Sequence, residues 1–210
     1  MKRVIGTGLV FLFALLSGVA AQETTKKYNG DWWRSVPKEE RTGFLAGYTD
    51  CAVYDAGQKQ LAEISWNVLE PKVTDYYNGH ASELRTPAAT LFVKLSPLQH
   101  TQTESDKGES FPGKHGIFDG EYWRLALPDH RLGFLEGYLE CQRQNNKPVA
   151  NFSHPAVWYA DQISQWYGVK ADDPGEINPK RTDKKIADVL YFFRTKPAKV
   201  TSQPAVAQKP

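Results

Sequence analysis

The chain has 210 residues, with 26 basic against 24 acidic side chains, two cysteines and one methionine. So small a charge excess gives no argument for a nucleic-acid footprint or a polybasic membrane patch, and two cysteines cannot complete a Cys-rich zinc site or a dense disulfide scaffold. Six Trp, ten Tyr and ten Phe supply the burial that a disordered chain lacks.

The first element is a leader. Lys2 and Arg3 precede an apolar stretch from Val4 to Val19, and Val19-Ala20-Ala21 offers small residues at a cleavage point before Gln22, the layout of a secretory signal peptide over 1–21. Its removal takes Lys2 and Arg3 and leaves 24 basic against 24 acidic groups. An uncleaved anchor is the alternative, because the stretch approaches bilayer length. No later segment does, so no membrane span is expected after cleavage.

From Gly30 to Cys51 the chain reads GDWWRSVPKEERTGFLAGYTDC, and from Gly120 to Cys141 it reads GEYWRLALPDHRLGFLEGYLEC; ten of the 22 aligned positions are identical, at a constant offset of 90. This is an internal duplication. It predicts an all-α fold of two pseudo-repeated lobes of about three helices each, repeat 1 over 28–95 and repeat 2 over 120–194, with a polar linker over 96–119 and a disordered tail over 195–210.

Within each repeat, Pro37 or Pro128 suits the opening turn of the leading helix. Phe44, Gly47, Tyr48 and Cys51 then recur at the spacing of one helical face. On a wheel of about 100° per residue, Arg41 joins that face, whereas Thr42, Ala46 and Thr49 fall opposite. The second helix is opened by Pro71 or Pro155, with Val73, Tyr76 and Tyr77 matching Ile163, Trp166 and Tyr167, and it ends at Gly79 or Gly168. The third is capped by Thr86 or Thr182, a slip of six in the register, and carries the stripes Ala88, Leu91, Phe92, Leu95 and Ile186, Val189, Leu190, Phe193.

The repeated face reads as core, its glycines letting another helix approach closely. Arg34, Arg41, Arg124 and Arg131 beside Trp33 and Trp123 have two readings. Either they pair with Asp31, Glu121, Asp50 or Glu140 and lie over the indoles, or they line a carboxylate- or phosphate-binding cleft. Cys51 and Cys141, equivalent positions in an exported chain, either bond across an axis relating the repeats or stay as two separate buried thiols. Leu132 and Leu139 replace Thr42 and Thr49 on the outer face and must cover the other lobe or meet a partner.

No metal-ligand spacing, nucleotide loop or nucleophile elbow occurs, so no metal or cofactor is expected. Nor does any acid/base pair declare itself, although His130 lies near the start of its helix.

GFLAGYTDC followed by VTDYYNGHASELRTPAATLFVKL, with the helices running from Trp33 to Gly47 and Trp123 to Gly137, resembles a group of exported bacterial helical proteins of unknown function. It also resembles the Tai-type immunity proteins, which bind and neutralise type VI secretion amidase effectors in the periplasm. Two features depart from that type: its members are commonly single modules, and each carries a second cysteine missing from each copy here. The resemblance implies a helical fold and an envelope location, and it transfers no toxin-contact residue.

The reading that results is an exported, non-enzymatic protein-binding module of the periplasm or the exterior, possessing an envelope or secreted protein as partner. A small-molecule or cell-wall-fragment binder in an interlobe cleft is one alternative, and a hydrolase with an unrecognised acid/base pair is another.

Overall fold

A computed structural model describes residues 28–58, 61, 65–96, 118–145, 152–170 and 180–194. The leader, the tail and most of the expected linker lie outside these residues. Among the described residues the fold is all-α, in the order α1 (Gly30–Ser35), α2 (Lys38–Asp50), α3 (Trp66–Gly79), α4 (Ala88–Leu95), α5 (Gly120–Leu125), α6 (Pro128–Gln144), α7 (Ala156–Tyr167) and α8 (Ile186–Phe193). None of these helices is long and apolar enough to cross a membrane.

The leading segment of each repeat is two helices rather than one. Asn29 Oδ1 accepts from the amides of Asp31 and Trp32 at 3.1 and 3.2 Å, and Asp119 Oδ1 accepts from Glu121 and Tyr122 at 3.0 and 3.1 Å. These side chains cap the orphan amides of α1 and α5. Extended backbone at Val36–Pro37 and Ala126–Leu127 then turns the chain into α2 and α6.

The centre of the molecule is the α2–α6 pair. A β-carbon on Gly43 would lie 2.1 Å from the His130 carbonyl oxygen and one on Gly47 1.8 Å from that of Phe134. Reciprocally, Gly133 would meet the Glu40 carbonyl oxygen at 2.0 Å and Gly137 that of Phe44 at 1.9 Å. The two helices therefore run parallel, backbone against backbone, on two interleaved small-residue pairs, the geometry that favours Cα–H···O contacts. The contact is isologous: each residue's role is exchanged under the offset of 90.

Cys51 and Cys141 lie one turn beyond this contact and are bonded, with Sγ atoms 2.13 Å and Cα atoms 6.1 Å apart. The sulfurs thus do not stand as separate thiols in their own repeats. Both sit on the same side of the parallel pair, where the reciprocal packing brings equivalent positions face to face.

From Thr42 on, α2 is buried all round. Thr42 and Thr49, expected on an outer face, are 6 % and 4 % exposed. Their hydroxyls are satisfied by donation to the carbonyls of Lys38 and Leu45, at 2.9 and 2.8 Å, which removes the desolvation cost that makes threonine a surface residue. In repeat 2, Leu139 packs partly buried against the core, and Leu132 is half-buried.

Of the outer helices, α3, α4 and α8 depart from expectation at their starts, and α7 does not. α3 begins at Trp66, so Pro71 falls inside it on the exposed side. The apolar stripe Trp66, Leu69, Val73, Tyr77 is buried against α2 and its neighbours, and that burial carries the helix through a residue that would ordinarily start one. α7 begins after Pro155, at the position 90 residues on, and ends on Gly168 in the left-handed region, φ 81°. Neither threonine caps the third helix: α4 follows Pro87 and α8 follows Lys185, without a side-chain cap.

Isolated antiparallel bridges Asn29–Pro87 and Asp119–Lys185 tie the start of each repeat to its last helix, and Tyr77 and Tyr167 donate to the carbonyls of Thr86 and Lys184. The structural slip between copies is therefore eight residues, not six. The ends of the expected linker belong to the folded body, for Ser96 is buried and Phe118 packs 5.5 Å from Trp66, ring to ring.

Candidate functional site

Two polar regions stand out against this aromatic core. The first is built by the repeated arginines and tryptophans. In repeat 1, Arg41 Nε donates to Glu70 Oε1 at 2.7 Å, and its Nη1 donates to the carbonyls of Trp33 and Val36 at 3.2 and 3.1 Å. The same Glu70 oxygen accepts from Thr74 Oγ1 at 2.9 Å, and Thr74 accepts from Trp33 Nε1 at 2.9 Å. A buried carboxylate, 3 % exposed, is thus held by a charge-assisted network that locks α1, α2 and α3 together. The guanidinium carbon lies 5.8 Å from the Trp33 ring.

In repeat 2 the frame recurs with different chemistry. Trp123 Nε1 donates to Ser164 Oγ at 3.0 Å, and Arg131 lies 6.0 Å from the Trp123 ring. Position 160, equivalent to Glu70, is alanine. Arg131 is 6 % exposed; its Nε donates to the Trp123 carbonyl at 2.7 Å and its Nη2 to that of Arg124 at 3.2 Å. Burial pulls its pKa down.

The other two arginines are helix-end contacts. Arg34 donates to the Tyr77 carbonyl at 2.5 Å, not to Asp31, and Arg124 pairs with Glu121 at 2.6 Å. The expected partner Asp50 is not used by Arg41, and Glu140 is paired instead with Arg143. Each repeated arginine is held by groups of its own copy, so the four do not converge on one cleft.

The second region lies where α2 ends. Beyond Asp50 the chain widens into one π-helical turn over Cys51–Asp55, closed by the Ala56 amide on the Cys51 carbonyl at 3.0 Å. Such turns re-aim a side chain, and here it aims Asp55 across to repeat 2. Asp55 Oδ2 accepts from Tyr138 Oη and Gln142 Nε2, and from Tyr191 Oη at 3.4 Å. The equivalent stretch of α6 stays α-helical, its Asn145 amide closing on the Cys141 carbonyl.

Asp50, 7 % exposed, is pushed up to about 7, first by burial and then by the charge of Asp55, against an opposing pull from Lys185. Tyr122 Oη and His130 Nε2 are hydrogen-bonded at 2.6 Å. Burial holds His130 down at about 4, so near neutral pH the imidazole is uncharged. Burial raises Tyr122 and Tyr138 as well. Among the described residues no group of three or more His, Cys, Asp or Glu is arranged to hold a metal.

The leucines that the structure exposes are not those singled out by the helical wheel. Leu125 is 61 % and Leu127 59 % exposed at the α5–α6 corner, where repeat 1 has Ser35 and Pro37. The signal was present in the aligned copies, as two polar-or-turn residues replaced by leucine. The wheel covered only the run from Arg41 on and left out this corner, where the chain passes from the end of α5 through extended backbone into α6. The chain matches no family model, no curated protein and no solved structure.

Proposed function

We propose that this is an exported, non-enzymatic protein-binding module, immunity-like in action, built as two duplicated helical lobes around the α2–α6 pair and working in the periplasm or outside the cell. The observation that carries the reading is the exposed Leu125–Leu127 corner. The same corner forms in repeat 1 with Ser35 and Pro37, so the fold does not require leucines there. Two exposed leucines that the fold does not require support a contact surface at this corner. The leader-like first 21 residues support export, and the balanced charge suits docking through an apolar patch rather than through electrostatic steering.

The test is capture of partners from envelope extract, using the wild-type protein beside a Leu125→Ser, Leu127→Pro variant. These replacements are repeat 1's own residues. Leu127 already has φ −65° and ψ 157°, against −65° and 160° at Pro37, so the backbone accepts proline. A protein retained by the wild type and lost by the variant, with melting unchanged, supports the reading. Equal retention by both, or no retained protein, overturns it.

A further inference from the structure

We propose that the Arg131 corner of repeat 2 is a binding site for a carboxylate group, which takes the role that the Glu70 side chain plays in repeat 1. The internal duplication supplies the template. Arg41, Trp33, Thr74 and Glu70 stand 90 residues before Arg131, Trp123, Ser164 and Ala160. In repeat 1 two donors, Arg41 Nε and Thr74 Oγ1, converge on one Glu70 oxygen. In repeat 2 an arginine and a hydroxyl are retained as Arg131 and Ser164, with Arg131 Nε turned to the Trp123 carbonyl and the remaining Nη N–H groups left to meet a ligand, and the indole-to-hydroxyl bond that orients the second is retained too. Only the acceptor at that position is gone, Ala160 standing where Glu70 does.

Arg131 is 6 % exposed and donates only to two carbonyl oxygens, with no carboxylate partner among the described residues. The acid nearest in sequence to those carbonyls, Glu121, is held by Arg124 through both its oxygens. A buried guanidinium without a counter-charge is costly, and a planar carboxylate matches its remaining N–H groups.

Access and charge narrow the ligand. Glu70 is buried, whereas Ala160 in its place is half-buried, so the shorter side chain leaves the corner reachable from solvent. One guanidinium balances one negative charge, which favours a monoanionic carboxylate over a phosphate dianion. The carboxylate comes from a free small acid or from a peptide C-terminus. The site makes no use of the Leu125–Leu127 surface and stands or falls separately from the protein-binding reading.

The experiment follows the indole N–H signals of Trp33 and Trp123 in the ¹⁵N-labelled protein with its disulfide intact. Acetate, phosphate, an N-acetylated dialanine acid and the corresponding amide are each titrated against chloride at constant pH and ionic strength. The expected result is a saturable shift at Trp123, absent at Trp33, with acetate or the dipeptide acid and not with the amide or phosphate. A tighter response to the dipeptide acid identifies a peptide terminus as the source, and an equal response identifies a free acid. Ala160→Glu supplies the acceptor from the chain and should abolish the shift. Ser164→Ala should weaken binding by about tenfold, the value of one hydrogen bond to a charged group, and keeps the test open should the glutamate variant fold poorly. No carboxylate-dependent shift at Trp123, a response to phosphate alone, or an undiminished shift in both variants overturns the proposal.

Discussion

Gly47 faces the carbonyl oxygen of Phe134 so closely that a β-carbon would stand 1.8 Å from it, and Gly137 faces the Phe44 carbonyl at 1.9 Å in the mirrored contact. The obstacle in each case is backbone, which cannot swing aside as a side chain could. The two helices must separate or the methyl cannot exist.

Gly47→Ala should therefore cost more than about 3 kcal/mol, at the upper end of overpacking penalties. Gly79→Ala is the control: it too is helical, but nothing lies within 4 Å of its added β-carbon. There the gain in helix propensity is at most about 1 kcal/mol in the stabilising direction. Urea midpoints of the two variants should move in opposite directions. Equal small shifts would mean that α2 and α6 do not pack backbone to backbone.

The Cys51–Cys141 bridge closes a sequence separation of 90 residues, and both residues are 1 % exposed or less. Replacing both by alanine should remove about 2–5 kcal/mol of stability, chiefly by freeing the unfolded chain. Because a thiolate must reach the buried sulfurs, dithiothreitol should leave the native protein oxidised and reduce it promptly in urea. Thiol titration with and without denaturant measures both halves. Rapid native-state reduction would place the bridge at the surface.

Asp50 and His130 give opposite pH dependences. Asp50 is raised in the fold to about 7 from 3.8, by burial and by the charges of Asp55 and Asp188 against that of Lys185. The folded state then binds its proton more tightly, so its contribution is full below about pH 4 and is lost as pH rises to 7, by roughly 4 kcal/mol for the whole shift. His130 is depressed to about 4 from 6.5, so its contribution is full above pH 6.5 and is lost as pH falls toward 4. Asp50→Asn should flatten the decline between about pH 4 and 7 and expose the acid-side loss from His130. Urea midpoints at pH 4.5, 6 and 8 decide the matter. An unchanged slope in Asp50→Asn would mean that the carboxyl is solvated.

How much of this was legible follows from where each signal lies. That some helix packs closely on this face was readable because Gly43, Gly47, Gly133 and Gly137 repeat at a fixed offset beside Phe and Tyr, but not that α2 and α6 are each other's partners. The short helix before each of these was not, since its caps Asn29 and Asp119 lie one residue before the aligned window, whereas the turn into α2 and α6 was marked by Pro37 and Pro128. Pro71 misplaced the start of α3 because local proline rules were given more weight than the stripe reaching back to Trp66. The π turn that aims Asp55 at Tyr138 has no local sequence mark. An i→i+5 turn is selected by the tertiary partners it serves, and those lie 83 and more residues away. The exchange of Glu70 for Ala160 was visible at the same offset of 90, yet it means nothing until Arg41 and Arg131 are seen to reach those positions.

That exchange also yields a stability prediction within repeat 1. Arg41 and Glu70 are 17 % and 4 % exposed as side chains, and Thr74 and Trp33 complete the network. Glu70→Ala leaves Arg41 only the Trp33 and Val36 carbonyls, much as Arg131 is left with those of Trp123 and Arg124. Removing one partner of a buried pair costs about 3–5 kcal/mol in full burial, and partial exposure of Arg41 should bring this nearer 2–3 kcal/mol. Arg41→Met alone should cost a similar amount, because it strands the Glu70 carboxylate. The double variant should cost clearly less than the sum, with a coupling of about 1.5–3 kcal/mol, the worth of a hydrogen bond to a charged group. Four urea titrations complete the cycle. Strict additivity would show that Glu70 is held by Thr74 and the surrounding packing, with the guanidinium an onlooker.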